Sequence, residues 1–352
     1  MVLATVVGMT TATAAEDGGS AAPPPSLEYR PKRPVIPEPK APQPLPPKTV
    51  FTESIGGRGM LAGSFDGPVD VDRDASGNFY ALDVGNNRVQ VFDRFGTLKF
   101  SWGSRGFRQG RVGKLDSEFN KPSAIAVGPE SSVDATQYVY VLDSGNHRVQ
   151  KFNLKGEFVI EWGSLGSSDG DFKSPQDIVV DRWGVGQGSQ IGDVFVLDSG
   201  NERVQQFSNA GKFKKKLEKS SFGVTGGNFT NLKSIALSDQ RLGYFYLLGA
   251  GCVVQQFTQD GTLVNSWAAV APESGLCVPA RLEIDEKNHY VYVLDSGNSL
   301  LMCYNPDGMY RWALRGAQEP FSRPLGFAVN ADGDEFLVAD TENNVVQKFT
   351  LR

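Results

Sequence analysis

The chain has 352 residues, 40% of them hydrophobic, and its 35 Lys and Arg against 40 Asp and Glu give a formal net charge of −5. That balance argues against broad nucleic-acid binding, which depends on a basic surface. No apolar run reaches the length of about 18 residues that indicates a membrane-spanning helix, so we expect no membrane span.

Residues 1–17 (MVLATVVGMTTATAAED) are mostly small and apolar, and ATAAED resembles a signal-cleavage site, although a basic start and a long apolar core are lacking. We interpret them as a candidate targeting segment. The predicted location is therefore extracytoplasmic or an organelle lumen.

Residues 18–47 form a proline-rich segment, with 11 prolines in the 25 residues from Pro23 to Pro47. Such a stretch cannot build a core and predicts an extended polyproline-type arm, reaching up to roughly 75 Å at about 3.1 Å per residue. The arm is either a flexible spacer or a segment that lies along the surface of a partner.

From residue 48 onward the chain repeats one unit. The pattern L-D-x-G-N-x-R-V-Q-x-F is written in segments 79–92, 139–152 and 194–207, and weaker copies follow at 245–257, 291–304 and 336–349. A short apolar run, usually led by Pro, precedes each copy. An aromatic run such as GEFVIEWG follows each copy except the last.

Each unit is interpreted as four short strands, named a to d, because its runs are rich in Val, Ile, Phe, Tyr and Leu and are bounded by Gly, Asn, Asp and Pro. Helical periodicity with caps is absent from the sequence. Four strands per unit, six times over, predict an all-β fold: a six-bladed β-propeller with a central channel.

The sixth unit ends at Arg352, after strand c, so its own strand d is missing. The segment KTVFTESIGG (48–57) stands alone before the first unit and resembles GTLKFSWGS. We predict that it is the outer strand of blade six, with Val50 to Ile55 paired near Val345 to Phe349 and Phe51 buried, which would protect an open sheet edge.

The recurring Asp and Asn predict a structural turn between strands b and c, since Asp accepts backbone N–H groups of its own turn and Asn tolerates left-handed geometry. Six copies around a ring cannot all line one ligand site. The turn residues are Asp83, Asn86, Asp143, Asn146, Asp198, Asn201, Asp295, Asn298, Asp340 and Asn343.

The unit SPQDIVVD, then VFVLDSGNERVQQF, then a Gly-led aromatic run closely resembles the NHL repeat, over about Lys48 to Arg352. The resemblance implies a six-bladed propeller for residues 48–352. It implies no single function, because NHL proteins include RNA-binding modules, extracellular sensor domains, interaction scaffolds and a peptide-amidating lyase.

Basic residues gather on one predicted face, where d–a and b–c loops meet. Either they bind an acidic partner segment or an anionic ligand, or each motif Arg is neutralised by its Asp. The candidates are Arg88, Arg148 and Arg203 of the motif and Arg105, Arg108, Arg111 and Lys114 of the loop between the first two units.

No catalytic residue is predicted, because no nucleophile elbow, phosphate loop or C-x-x-C is present. The amidating lyase of the family needs a zinc ion held by several histidines, whereas this chain has only His147 and His289, expected on opposite faces. No cofactor is predicted, although a calcium ion held by channel carbonyls would leave no sequence trace.

The chain has three cysteines, so at least one is unpaired within it. Cys252 falls in the b–c loop of blade four and Cys277 in the d–a loop that leaves the same blade. We predict a Cys252–Cys277 disulfide, contributing roughly 3 kcal/mol in the chain-entropy model, with Cys303 a free buried thiol. The alternative is three reduced thiols.

These features predict a non-enzymatic protein-interaction or scaffold module, a candidate subunit of a larger assembly tethered by its arm, whose partners are other proteins with acidic segments. Two alternatives are a metal-dependent lyase or lactonase-like propeller enzyme and a nucleic-acid-binding propeller.

Overall fold

The computed structural model describes residues 48–105, 117–131, 136–184, 189–218, 227–239, 243–258, 261–272, 274–316 and 319–352. The predicted targeting segment (1–17) and arm (18–47) lie outside the described residues. The described part builds six four-stranded antiparallel sheets, so the predicted propeller is confirmed.

Each sheet is one blade, ordered from the inner strand a to the outer strand d. The strands in chain order are β1 (Thr49–Gly56); β2 (Pro68–Arg73), β3 (Phe79–Asp83), β4 (Arg88–Phe92) and β5 (Leu98–Trp102) of blade one; β6 (Ser104–Arg105) and β7 (Glu118–Phe119); β8 (Ala124–Pro129), β9 (Gln137–Asp143), β10 (Arg148–Asn153) and β11 (Phe158–Trp162) of blade two; β12 (Asp177–Val180), β13 (Val194–Asp198), β14 (Arg203–Phe207) and β15 (Phe213–Glu218) of blade three; β16 (Ser234–Leu237), β17 (Phe245–Gly249), β18 (Val253–Phe257) and β19 (Leu263–Ala268) of blade four; β20 (Pro279–Ile284), β21 (Val291–Asp295), β22 (Leu300–Tyr304) and β23 (Tyr310–Leu314) of blade five; and β24 (Pro324–Val329), β25 (Glu335–Asp340) and β26 (Val345–Leu351) of blade six.

The six inner strands form a closed ring around the channel. Each contacts the next in the order β2, β8, β12, β16, β20 and β24, and β24 contacts β2. Strands b and c are buried along almost their whole length because both of their faces pack against neighbouring blades. The core therefore lies between blades as a series of Val, Leu, Phe and Tyr clusters.

Aromatic side chains of the outer strands join neighbouring blades. Trp102 of blade one packs on Gly156, in the turn between strands c and d of blade two, and Trp162 packs in the same way on Gly211. A Cβ atom at Gly156 would lie 2.7 Å from the Trp102 ring, and the φ angle of Gly156 is +80°. A side chain at Gly156 would clash with the Trp102 ring and would strain the backbone, so glycine is required here.

The segment before blade one lies along the outer edge of blade six. β1 pairs antiparallel with β26, from Thr49 opposite Leu351 to Gly56 opposite Val345. The prediction that Phe51 is buried is wrong: Phe51 is partly exposed, and Ile55 is the buried residue of this strand, because an irregularity between Phe51 and Glu53 shifts the register and puts the two side chains on opposite faces.

The d–a and b–c loops lie together on one side of the ring, which we call the loop face. Gly145 N, for example, donates to Asn120 O, and Gly200 N donates to Lys173 O, each joining the two loop types. One-turn 3-10 helices form three of the b–c loops, at Ser144–Asn146, Ser199–Asn201 and Ala250–Cys252. Among the described residues no helix is both long and apolar enough to cross a bilayer.

Candidate binding face and channel

The repeated motif builds a turn at the loop face around a buried Asp. Arg88, Arg148 and Arg203 donate from Nε to Asp83, Asp143 and Asp198 of their own turns at 2.9, 2.9 and 2.8 Å. The Asn side chain of the turn donates to the same carboxylate in five blades: Asn86, Asn146, Asn201, Asn298 and Asn343 to Asp83, Asp143, Asp198, Asp295 and Asp340.

The remaining guanidinium donors hold the d–a loop that enters the same blade. In blade three, Arg203 donates to the carbonyl oxygens of Ser167, Ser168 and Asp171 at 2.8 to 3.0 Å. The Gln205 side chain donates to Asp171 O and accepts from Gly170 N. The R-V-Q part of the motif is thus a clamp on a loop, and blade one repeats it with Arg88 and Gln90.

This arrangement explains why the motif recurs. The Arg148 and Arg203 side chains are 1% and 2% exposed, and that of Arg88 is 13% exposed. A buried guanidinium bonded in this way fixes the loop. A basic surface that binds a partner would therefore consist of the other four candidate residues. Arg105 ends the short strand β6, and Arg108, Arg111 and Lys114 lie outside the described residues.

Large apolar side chains are exposed on the d–a loops of the loop face. Met60 and Leu61 are 81% and 80% exposed on the loop entering blade one, and Leu165 is 68% exposed on the loop entering blade three. Leu276, on the loop entering blade five, is 95% exposed. Met60 and Leu61 are neighbours in the chain and Leu165 and Leu276 are exposed singly, so the pair on the loop entering blade one is the larger exposed apolar group of this set.

Cys252 and Cys277 are joined by a disulfide, with Cα atoms 5.8 Å apart. It ties the b–c turn of blade four to the d–a loop that enters blade five. Cys303 is a free buried thiol on β22, and burial raises its pKa well above the ordinary value.

Charged side chains that the motif does not include meet in the channel. Arg281 of blade five is hydrogen-bonded to Asp177 of blade three, lies 3.1 Å from Asp70 of blade one, and donates from Nε to Glu283 at 3.1 Å. All three partners are carboxylates, so one guanidinium links three alternate blades across the axis.

The channel carboxylates also accept hydrogen bonds from the inner edge of the next inner strand. Ile125 N of blade two donates to Asp70 at 2.9 Å, and Ile235 N of blade four donates to Asp177 at 2.9 Å. Burial is the main cause of raised pKa values here: that of Asp70 rises to about 8 and that of Glu283 to about 7, against the lowering effect of Arg281.

A cavity of about 50 Å³ occupies the channel at the end opposite the loop face. Its walls include Asp72, Arg182, Trp183, Glu283 and Glu286, together with other residues of the six inner strands. Arg182 lies 3.4 Å from Asp72 and donates to Val127 O at 3.0 Å. The cavity is therefore polar and carries an excess of carboxylates over guanidinium groups.

The two histidines lie apart, on the two faces predicted. His147 ends the b–c turn of blade two with a φ of +54°, and His289 of blade five has Nε2 3.9 Å from Asp239. Among the described residues, one group of three side chains has metal-ligating atoms within reach of a single ion: Cys252, Cys277 and Asp295.

The sequence contained an indication of the ionic contacts in the channel. Asp70, Asp177 and Arg281 occupy the same register position of strand a in blades one, three and five, where Ala124 stands in blade two. Charged residues inside a short apolar strand indicate a buried ionic contact, because such groups are costly to bury alone. The partners could not be deduced, since they lie on other blades.

The comparison with protein families supports the repeat. A family model described as NHL repeat matches residues 65–92 and 321–349. Over 352 aligned residues the chain is 23% identical to the NHL repeat-containing protein 2 of Homo sapiens, covering 82% of this chain and 46% of that protein. It is 28% identical over 137 residues to Protein brain tumor of Drosophila melanogaster, covering 39% of this chain and 12% of that protein. The predicted NHL resemblance is confirmed, and the chain spans less than half of either relative.

Two solved structures share the fold. A streptogramin B lyase aligns with a TM-score of 0.56 at 13% identity, covering 86% of this chain and 98% of the lyase. The virginiamycin B lyase from Staphylococcus aureus aligns with a TM-score of 0.54 at 12% identity, covering 87% of this chain and 100% of the lyase. At such identities the likeness concerns architecture alone.

Proposed function

We propose that this chain, a six-bladed β-propeller with NHL repeats, is a non-enzymatic protein-interaction module whose partner docks on the loop face. The observation that carries the proposal is the exposure of Met60, Leu61 and Leu165 on loops whose backbone carbonyls are bonded by Arg88 and Arg203. A preordered loop loses little conformational entropy on binding, so apolar side chains on it suit docking.

The proposed partner presents carboxylates beside apolar side chains. Arg105 ends β6, and Arg108, Arg111 and Lys114 belong to the loop between β6 and β7, whose ends lie on the loop face; the charge of all four complements an acidic segment. The proline-rich arm would tether the module within an assembly outside the cytosol or in an organelle lumen.

Affinity capture with the full chain tests the docking face. Leu61→Asp and Leu165→Asp should each remove a partner that wild type retains, whereas Phe95→Asp and Met309→Asp, at exposed positions between strands c and d on the opposite face, should not. Loss of the partner with the second pair alone would place docking on the other face. Capture with and without residues 1–47 measures the contribution of the arm.

The second candidate, a metal-dependent lyase or lactonase-like enzyme, is favoured by the channel cavity with Asp72, Glu283 and Glu286 on its wall. The described channel residues do not fit a metal well, because their carboxylates are bridged by Arg281 and Arg182. Stoichiometric calcium or zinc mapped to the channel of purified protein would support the enzyme.

Nucleic-acid binding with a steep salt dependence would support the third candidate, a nucleic-acid-binding propeller.

A further inference from the structure

The loop entering blade five is held differently from its counterparts. Residues 269–278 carry it, with residue 273 outside the described part. The clamp positions of blade five hold Leu300 and Met302, where blade three has Arg203 and Gln205. Apolar side chains cannot bond loop carbonyls, so this loop lacks the clamp described above.

Three hydrogen bonds to turn side chains and the disulfide hold it, and two of those bonds recur in blade three, where Asp198 accepts from Lys173 N and Asn201 donates to Gly166 O. Asn298 donates from its side chain to Leu276 O at 3.1 Å and accepts from Gly275 N at 3.1 Å. Asp295 accepts from Val278 N at 3.0 Å. The Cys252–Cys277 disulfide bonds this loop covalently to the b–c turn of blade four.

The disulfide stands next to a carboxylate. Cys252 and Asp295 are fully buried, Cys277 is half-buried, and one ligand atom from each lies within 4.8 Å of the other two. Zinc bonds of about 2.3 Å to sulfur and 2.0–2.2 Å to oxygen place neighbouring tetrahedral donors roughly 3.5–3.8 Å apart. Small side-chain movements would bring the three donors to that spacing.

Their chemistry selects a thiophilic divalent ion. Two thiolates and one carboxylate suit Zn²⁺ far better than Ca²⁺ or Mg²⁺, which take oxygen ligands. In the described part Asp295 Oδ2 accepts one hydrogen bond, from Asn298 Nδ2 at 2.7 Å, so a lone pair remains for an ion. A water molecule would complete four-coordination.

We propose that Cys252, Cys277 and Asp295 form a zinc site when the disulfide is reduced, and that the ion then replaces the disulfide as the tie on loop 269–278. A dithiol supplies two electrons and two protons to the S–S bond, which breaks to two thiols while the dithiol closes to its own disulfide. Zn²⁺ binding displaces the two thiol protons to solvent. The loop is thus tied in both oxidation states, provided that the ion is present.

The experiment uses the full chain reduced with a dithiol, desalted under argon and titrated with Co²⁺ as a spectroscopic probe. One equivalent should give thiolate-to-cobalt charge-transfer absorption, and Zn²⁺ should remove it. The matched variant Cys303→Ser, which changes the third cysteine, should behave as wild type, whereas Cys252→Ser and Cys277→Ser should lose the band. The oxidised wild type should not bind. Absence of the band in reduced wild type, or its survival in Cys277→Ser, would overturn the site.

A second measurement does not depend on how the serine variants fold. Reduced wild type is alkylated with and without Zn²⁺, and the labelled cysteines are mapped by mass spectrometry. Zinc should protect Cys277, the half-buried member, at least tenfold, and should slow hydrogen exchange of the 270–276 amides to the rate of the oxidised protein. Equal alkylation and exchange rates with and without the ion would reject the proposal.

Discussion

Arg281 of blade five and Asp177 of blade three are hydrogen-bonded across the channel, and the same Arg281 Nη1 lies 3.1 Å from Asp70 of blade one. A single buried side chain therefore joins three alternate blades. Adjacent blades pack directly against one another, whereas this link joins blades that are not neighbours in the ring. It makes the ring sensitive to changes at its axis.

Replacing Arg281 tests that link. Arg281→Ala leaves Asp70 and Asp177 buried without their cation and should lower the free energy of unfolding by about 3–5 kcal/mol. Arg323→Ala, at a side chain 64% exposed, should change it by less than about 0.5 kcal/mol. Urea unfolding measures both. A triple variant, Arg281→Met with Asp70→Asn and Asp177→Asn, should recover most of the loss, and equal stability of the two single variants would contradict the assigned link.

The raised carboxyl pKa values predict how stability depends on pH. Burial raises the pKa of Asp70 from 3.8 to about 8, and the groups that face it are Arg281, Asp177 and Glu283. The unfolded chain ionises this carboxyl near its ordinary value, so between about pH 4 and 8 the folded state binds more protons. The free energy of unfolding contributed by this group therefore falls as the pH rises through that window.

Asp70→Asn removes the titration and provides the measurement. Its free energy of unfolding relative to wild type should rise from about pH 5 to pH 8. The comparison is made by urea unfolding at several pH values, with Asp332→Asn, at an exposed position, as the control. A difference between Asp70→Asn and wild type that is constant with pH would contradict the raised pKa.

The motif clamp makes a separate prediction in blade three. Arg203→Ala removes donors to Ser167, Ser168 and Asp171 and leaves Asp198 buried, so the free energy of unfolding should fall by about 3–5 kcal/mol. Hydrogen exchange of the 166–171 amides should accelerate. The exposed neighbour Lys173→Ala should leave both unchanged, and unchanged exchange in Arg203→Ala would show that the clamp is not what orders the loop.

The blades and their turns could be predicted from sequence because each is a local pattern. Strands b and c are contiguous with their Asp, Asn and Arg, although the left-handed residue of the turn is His147 and not Asn146, whose side chain donates to Asp143 instead. The targets of the motif Arg and of Arg281 could not be predicted in this way. They lie on another loop or another blade, and their positions depend on ring geometry that no short segment encodes.

Ring closure predicts different effects from two truncations. Deleting residues 1–56 removes β1 and exposes the edge of β26, with its ladder from Leu351 to Val345, so the melting temperature should fall sharply. Deleting residues 1–47 leaves β1 in place and should change the melting temperature little. Thermal unfolding of the two truncated chains is compared directly, and equal melting temperatures would reject a closing role for β1.

The basic loop predicts the salt dependence of partner binding. Arg105, Arg108 and Arg111 have no motif Asp of their own, although Asp116 and Glu118 are near in sequence. Changing all three to Glu should weaken binding of the captured acidic partner and flatten its dependence on salt, because fewer favourable ion pairs remain to be screened. Arg94→Glu with Lys99→Glu and Lys155→Glu makes the same change in net charge at exposed sites on strand d and the c–d turns, away from the loop face, and should leave affinity near wild type. Unchanged affinity in the first triple variant would move the acidic contact away from this loop, and the arm, with its own basic RPKRP, would then be the next segment to test.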